Sequence, residues 1–579
     1  MTLSAIEVAS GAKLVVDKTA GLVAAASLVL EGDAALEVGE GRQIVVDYAR
    51  VNGQALAAGT YSGVDWFSGA GSVKVVVSGG DGLYVWTGAS GGEWNAPGNW
   101  EVNGAPATAA PTADKTLYVG SANATHPFRV TGGVEIANPI VLGAGQQLVQ
   151  LGFGDGTLQL TGKITGTGGI RFDSIDNAQY FVALKNDTND FVGGVRRSGA
   201  GQIQVYAGNA LGVGLVTLDD GSVLNSGVAN QTPFYVAQDC TIPNDIIVGC
   251  ESYVSWNGWW GGKKGVTVHF TGAVKFSMPN MALNETRFAE ASTIYFDGPV
   301  TLGGANANAR LICKAGVTVW FNQKISADGD RRDIYADNES ATGYFCASSN
   351  EIHRLYCGSV VAWKWYLRAV DALAGVELSL EGNPSSTGVL IDLGGFDQHV
   401  GDLYYAKPYN SLYAVSSDSP ATLTVNAKES RLFGGHFDKA VSLVYAPTGD
   451  FTYTLSNAVS TTTGSVTVAR GTLSLKDGAK FAKAKGLEVR SGATVKADAA
   501  DAFGRKADVR LSGTLNLAFE GVQRVGDLYL DGSDIPVETG LWGAEGNLSV
   551  PVSHRTARIT GTGVLNVVGA HPGHILLLR

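Results

Sequence analysis

Two clusters of tryptophan carry the clearest chemical suggestion in this chain. SWNGWWGGKKG sets Trp256, Trp259 and Trp260 among glycines, and VAWKWYLR sets Trp363, Trp365 and Tyr366 beside Lys364 and Arg368. Flat exposed aromatic rings stack on the apolar faces of sugars, and neighbouring cations hold the acidic groups of a polysaccharide. Strand alternation sends Trp363 and Trp365 to one face, and Lys364 with Tyr366 to the other, so a shared aromatic platform is open to this segment. The same rings have a plainer use. Trp is mostly buried in folded proteins, and these side chains could equally cap or fill a core.

Other residues suggest chemistry more weakly. DGDRRD (Asp328 to Asp333) could hold calcium through Asp328 and Asp330, or present Arg331 and Arg332 to an acidic glycan. No complete oxygen cage follows it, so a surface loop with internal ion pairs is the simpler account. A polysaccharide lyase needs a base near the sugar C5 and a cation on the uronate. Lys364, Arg368 or Arg331 could serve, but no spacing brings them together. The eight histidines are scattered, none in H-E-x-x-H, and a serine esterase is not expected.

Cysteines at 240, 250, 313, 346 and 357 lack C-x-x-C spacing, which argues against zinc. Cys240 with Cys250, and Cys346 with Cys357, could bridge a coil, although buried thiols are the preferred reading. No metal and no cofactor is expected.

The elements that must position these residues are strands. LEGDAALEVGEGRQIVVDY (Leu30 to Tyr48), SVTVARGTLSLKDGAKF (Ser465 to Phe481) and VRLSGTLNLAF (Val509 to Phe519) alternate apolar and polar residues between Gly, Asn or Asp turns. Such runs mean short strands with one buried face. Convincing helical periodicity over eleven residues is hard to find.

Phrases also recur. ITGTGVLNV (Ile559 to Val567) nearly copies ITGTGGIRF (Ile164 to Phe172), with FSGAGSVKV (Phe67 to Val75) a looser version. QHVGDLYY (Gln398 to Tyr405) returns as QRVGDLYL (Gln523 to Leu530). VNGQALAAGTY (Val51 to Tyr61) before FSGAG parallels LDGSDIPVETGLW (Leu530 to Trp542) before ITGTG. Rebuilding one rung at distant positions is the mark of a solenoid. That also explains how 579 residues with 78 glycines and only 16% charged residues can share one architecture.

NDFVGGVRRSGAGQIQVYAGNALGVGLVTLDDGSVL (Asn189 to Leu224) resembles the autotransporter-associated β-strand repeat of bacterial surface and secreted proteins. In that family an Asn and Gly-Gly phrase leads to a strand, an Ala-Leu-Gly turn and a further strand. TTTGSVTVARGTLSLKDG (Thr461 to Gly478) and residues 502–530 resemble the unit in pieces. WTGASGGEWNAPGNW (Trp86 to Trp100) resembles the Trp-rich opening that often precedes it, and Trp86, Trp94 and Trp100 read as a small core with Asn99 fixing a turn. The resemblance is clear over residues 40–225 and 380–568. It implies an all-β fold, a right-handed parallel β-helix displayed outside the cell.

The expected organisation is therefore the end of a preceding solenoid unit at 1–79, a Trp-rich β module at 80–135, and a β-helix over 136–570. That helix has a divergent middle at about 230–375, and a tail follows at 571–579. The expected role is a noncatalytic extracellular or cell-surface scaffold or adhesin, passenger-like, with glycans or host-surface ligands as partners. The alternatives are a carbohydrate-binding protein, using Trp256, Trp259, Trp260, Trp363, Trp365, Tyr366 and Lys364, or a lyase or glycosidase on the coil. A net charge of −11 argues against nucleic acid. No segment is long and apolar enough to cross a membrane as a helix. The opening residues lack a secretory signal and begin inside a strand pattern, as a fragment or mature form would.

Overall fold

Alternation produces the expected architecture. The computed structural model is all-β, about 51% strand and 3% helix, built as a parallel β-solenoid of about 19 turns. The residues it describes are all except 1, 4–5, 18–22, 81, 153–155, 176–179, 199–200, 219–233, 250–259, 264, 278–280, 283–291, 304–309, 314–315, 330–331, 337–340, 358–362, 381–387, 406–412 and 570–579. The chain divides into two compact units, Met1–Met281 and Ala282–Arg579. Their boundary falls inside the divergent middle.

The first unit opens with coils in which Val23–Leu30 pairs in parallel with Gln43–Val51, and Lys13–Val16 with Ala35–Val38. The Trp-rich segment joins the stack through its first strand. Its strand Leu83–Trp86 pairs in parallel with Thr116–Val119, which pairs with Ile140–Leu142 and that in turn with Ile164–Gly166. The other edge of Leu83–Trp86 is covered by antiparallel Trp100–Val102, which hides backbone groups that would otherwise invite a further strand. Trp86 and Trp100 are buried, their rings 5.0 Å apart edge to face. Asn99 fixes the turn, accepting from the Ser90 amide at 2.6 Å and donating to the Glu93 carbonyl at 2.8 Å.

The second unit stacks strands such as Thr293–Phe296, Thr318–Phe321, Ala341–Phe345, Trp363–Leu367 and Val389–Asp392 in register. A separate sheet runs from Arg431–Phe433 through Thr452–Ser456, Thr472–Lys476, Thr494–Ala497 and Thr514–Leu517 to Ile559–Gly561. Inward Val, Leu, Ile and Phe form the core, each on its counterpart in the next coil.

The repeated glycine phrase marks one device. Gly69, Gly166 and Gly561 all have positive φ, at 96°, 112° and 87°. A Cβ on each would lie 2.2–2.3 Å from a carbonyl oxygen of the preceding coil, that of Val38, Leu142 and Leu517 respectively. Only glycine meets both demands at once.

The longer paired phrases are closing coils. Near the N-terminus Gln43–Val46 pairs in parallel with Ser72–Val75, whose far edge takes antiparallel Gly59–Tyr61. Near the C-terminus Val522–Val525 pairs with Val564–Val567, whose far edge takes antiparallel Gly540–Trp542.

Candidate functional site

The strand Trp363–Leu367 separates its side chains as alternation requires, but the tryptophans take the inner face. Trp363 and Trp365 are 2% and 0% exposed, while Lys364 is exposed and Tyr366 half-buried. The surface platform expected of Trp363 and Trp365 is thereby corrected: both rings fill the core, because an apolar bicyclic ring gains more from burial than from a wet face. Trp260 lies in strand Trp260–Gly262 of the first unit. Trp256 and Trp259 lie outside the described residues.

Four adjacent strands instead carry two aromatic ladders. On the inner face, Phe296, Phe321, Phe345 and Trp365 stack with centroid spacings of 5.4, 5.5 and 5.0 Å. On the outer face, Tyr295, Trp320, Tyr344 and Tyr366 stack at 5.6, 3.5 and 4.9 Å, with ring planes within 20° of parallel. Parallel strands about 4.8 Å apart put in-register rings at stacking distance, which accounts for every pair except Phe345 with Trp365, whose strand partner is Gly343 and whose ring leans across to Phe345. Arg368 closes the outer ladder, its guanidinium 5.1 Å from the Tyr366 ring and 5.6 Å from that of Tyr344. Burial raises the Tyr344 hydroxyl pKa, with Tyr366 adding to the effect and Arg368 opposing it.

This outer ladder is a continuous aromatic stack across four strands, and Tyr295, Trp320 and Tyr344 were missed in the sequence. The signal is the recurring phrase TIYF, TVWF, TGYF and KWYL at residues 293, 318, 342 and 364. Its chemistry differs from that of a sugar platform. Each interior ring spends both faces on its neighbours, so solvent meets ring edges, hydroxyls and Arg368.

The cores of the coils hold buried amides. Asn189 accepts from the Ile164 amide at 2.7 Å and donates to the Ala210 carbonyl at 2.9 Å. These are the Asn and the Ala of the repeat phrase, so that phrase is a wiring pattern between coils. Asn350 repeats it, accepting from Ile325 at 2.7 Å and donating to Ala372 and Ala347, each at 2.9 Å. Gln398 and Gln523, the first residues of the two QxVGDLY phrases, are likewise buried and bonded to backbone.

Asp402 is buried against Arg431 at 2.6 Å, whose guanidinium also lies 4.0 Å over the Tyr404 ring. Burial raises the Asp402 carboxyl pKa despite that partner. Among the DGDRRD residues, Asp330 and Arg331 lie outside the described set. Asp333 is taken by Arg354 at 2.8 Å and His353 at 3.0 Å, and the Arg332 guanidinium reaches the Asp328 carbonyl at 3.4 Å. No group of three or more His, Cys, Asp or Glu suited to a metal occurs among the described residues.

Cys240, Cys346 and Cys357 are free thiols. Full burial pushes Cys357 up to about 12, the Trp365 indole drawing it slightly the other way, which makes it inert as a nucleophile. The spacing G-x-S-x-G does occur once, around Ser90. There it forms a turn held by Asn99 rather than a strand-to-helix elbow.

The geometry defines a parallel β-solenoid with polar staples inside and an aromatic ladder outside. No family model, no curated protein and no solved structure matches the chain.

Proposed function

We propose that this chain is a noncatalytic β-solenoid that serves as a scaffold or adhesin on the outer surface of a bacterial cell, passenger-like in the sense of the autotransporter-associated repeat. The observation that carries this reading is the use made of its buried polar side chains. Asn189, Asn350, Gln398 and Gln523 are bonded to the backbone, so they hold the stack together rather than facing a substrate. A stack of this kind gives length and flat faces at low cost in sequence, which suits display. Within the phrase that resembles the repeat, Asn189 is wired in this way to Ala210 of the Ala-Leu-Gly turn, which supports the passenger-like assignment.

The test pairs two measurements on the full chain. Beads coated with it should adhere to glycan- or host-cell-coated surfaces above bare beads. The same protein should release no reducing ends or unsaturated products from mixed polysaccharides. Product formation that is lost in a Lys364→Ala/Arg368→Ala variant would overturn the reading.

A further inference from the structure

The closing coil near the N-terminus leaves a gap in the stack. After Gln43–Val51 the chain does not run a further strand over Ala35–Val38. It reverses at Asn52 and Gly53, both at positive φ, into a strand antiparallel to Arg50 and Val51. It returns to Ala35–Val38 only at Ser68, whose amide donates to the Leu36 carbonyl and whose carbonyl accepts from Val38. The level above Ala34–Leu36 thus lacks a strand, and a cleft of about 470 Å³ occupies it. That volume is within the range of small-molecule sites.

The cleft has a consistent chemistry. Leu30, Leu36 and Phe67 give it apolar walls, and Trp66 adds an indole set against Phe67 at 4.9 Å and Tyr61 at 5.7 Å. Asp33 and Asp65 supply two carboxylates, and no Lys, Arg or His is among the lining residues. Asp33 is held in place, its Oδ1 accepting from Ser10 Oγ at 2.5 Å and from the Gly11 amide at 2.6 Å. Those bonds lower its pKa and keep it ionised. Carboxylates beside an indole, over apolar walls, complement a positive charge carried on an apolar body.

We infer that this cleft binds a small organic cation, an ammonium or guanidinium group on an apolar or ring-shaped body. The inference is independent of the scaffold reading, since a scaffold without this site and a site without adhesion are both self-consistent.

Calorimetric titration of the full chain with benzylamine, and with benzyl alcohol as its neutral counterpart, tests it. Benzylamine should bind saturably in the millimolar range or tighter, and more weakly as salt is raised, while benzyl alcohol should not saturate. Asp65→Asn, at an exposed position where folding is not at stake, should weaken benzylamine roughly tenfold. Trp66→Ala, checked for an unchanged melting profile, should weaken it further. Equal binding of the two probes, no saturable binding, or an Asp65→Asn variant that binds as the parent does would each overturn the assignment.

Discussion

Gly343 and Trp365 stand opposite one another on adjacent strands, and the indole occupies the space a side chain on Gly343 would need. A Cβ there would lie 2.0 Å from Cζ3 of the ring. Tyr180 and Gly201 repeat the arrangement in the first unit, with a Cβ on Gly201 falling 1.9 Å from the Tyr180 ring and the Tyr180 hydroxyl donating to the Ser198 carbonyl at 2.8 Å. In both cases a large ring turns along the stack and a neighbouring coil, the following one for Tyr180 and the preceding one for Trp365, yields by having no side chain.

Gly343→Ala should therefore destabilise the second unit by about 2–3 kcal/mol through overpacking. Trp365→Leu alone should cost a comparable amount by leaving a cavity. The double variant should cost less than the sum, because each change relieves the other. Denaturant midpoints of the three variants check this; strict additivity would show that the ring and the glycine are not coupled.

Asn350→Ala should remove three bonds at once and leave the Ile325 amide and the Ala372 carbonyl buried without partners. A loss of about 3 kcal/mol is expected. Asn350→Asp keeps the acceptor, loses the donors and buries a charge. Its stability should be worst at neutral pH and recover in acid, where the carboxyl is protonated. Thermal melts at pH 4.5 and 7.5 separate the two effects.

Asp47 supplies a pH dependence in the first unit. It is buried, its Oδ2 accepts from the Tyr118 hydroxyl at 3.1 Å, and Tyr48 packs beside Tyr118 with Arg50 and Glu101 near it. Burial raises its carboxyl to about 7, only partly offset by Tyr118. The folded protein thus holds a proton that the unfolded chain releases near pH 4. The stabilisation from this group is complete below about pH 4, declines as pH rises and is gone above about pH 7, a span worth roughly 4 kcal/mol. Asp47→Asn should raise the melting temperature at pH 8 and change it little at pH 4. An equal shift at both would disprove the linkage.

The outer ladder predicts a smaller effect. Tyr344→Ala removes two stacked contacts and the Arg368 interaction, costing about 1–2 kcal/mol. Tyr344→Phe should be nearly neutral, since the ring rather than the hydroxyl makes these contacts. Urea unfolding distinguishes them, and equal losses would point to the hydroxyl.

Much of this was legible because a strand states its own periodicity. WKWY announced that Trp363 and Trp365 share a face, and the ITGTG phrases announced a glycine bend. Which face points inward is a property of the neighbouring coil: Trp365 could be placed in the core only once Gly343 was seen opposite it. The outer ladder was harder, because its rings recur at 22 to 25 residues through turns of unequal length, so no fixed period brings them into view.

The sequence by itself determined the strand content, the turns and the stacking of like phrases, all of which depend on residues a few positions apart. Tertiary structure decided the burial of Trp363 and Trp365, the pairing of Asp47 with Tyr118 across 71 positions and the cleft beneath Trp66. Each of these depends on which coil lies against which, and that register is set by the summed packing of many rungs rather than by any one of them.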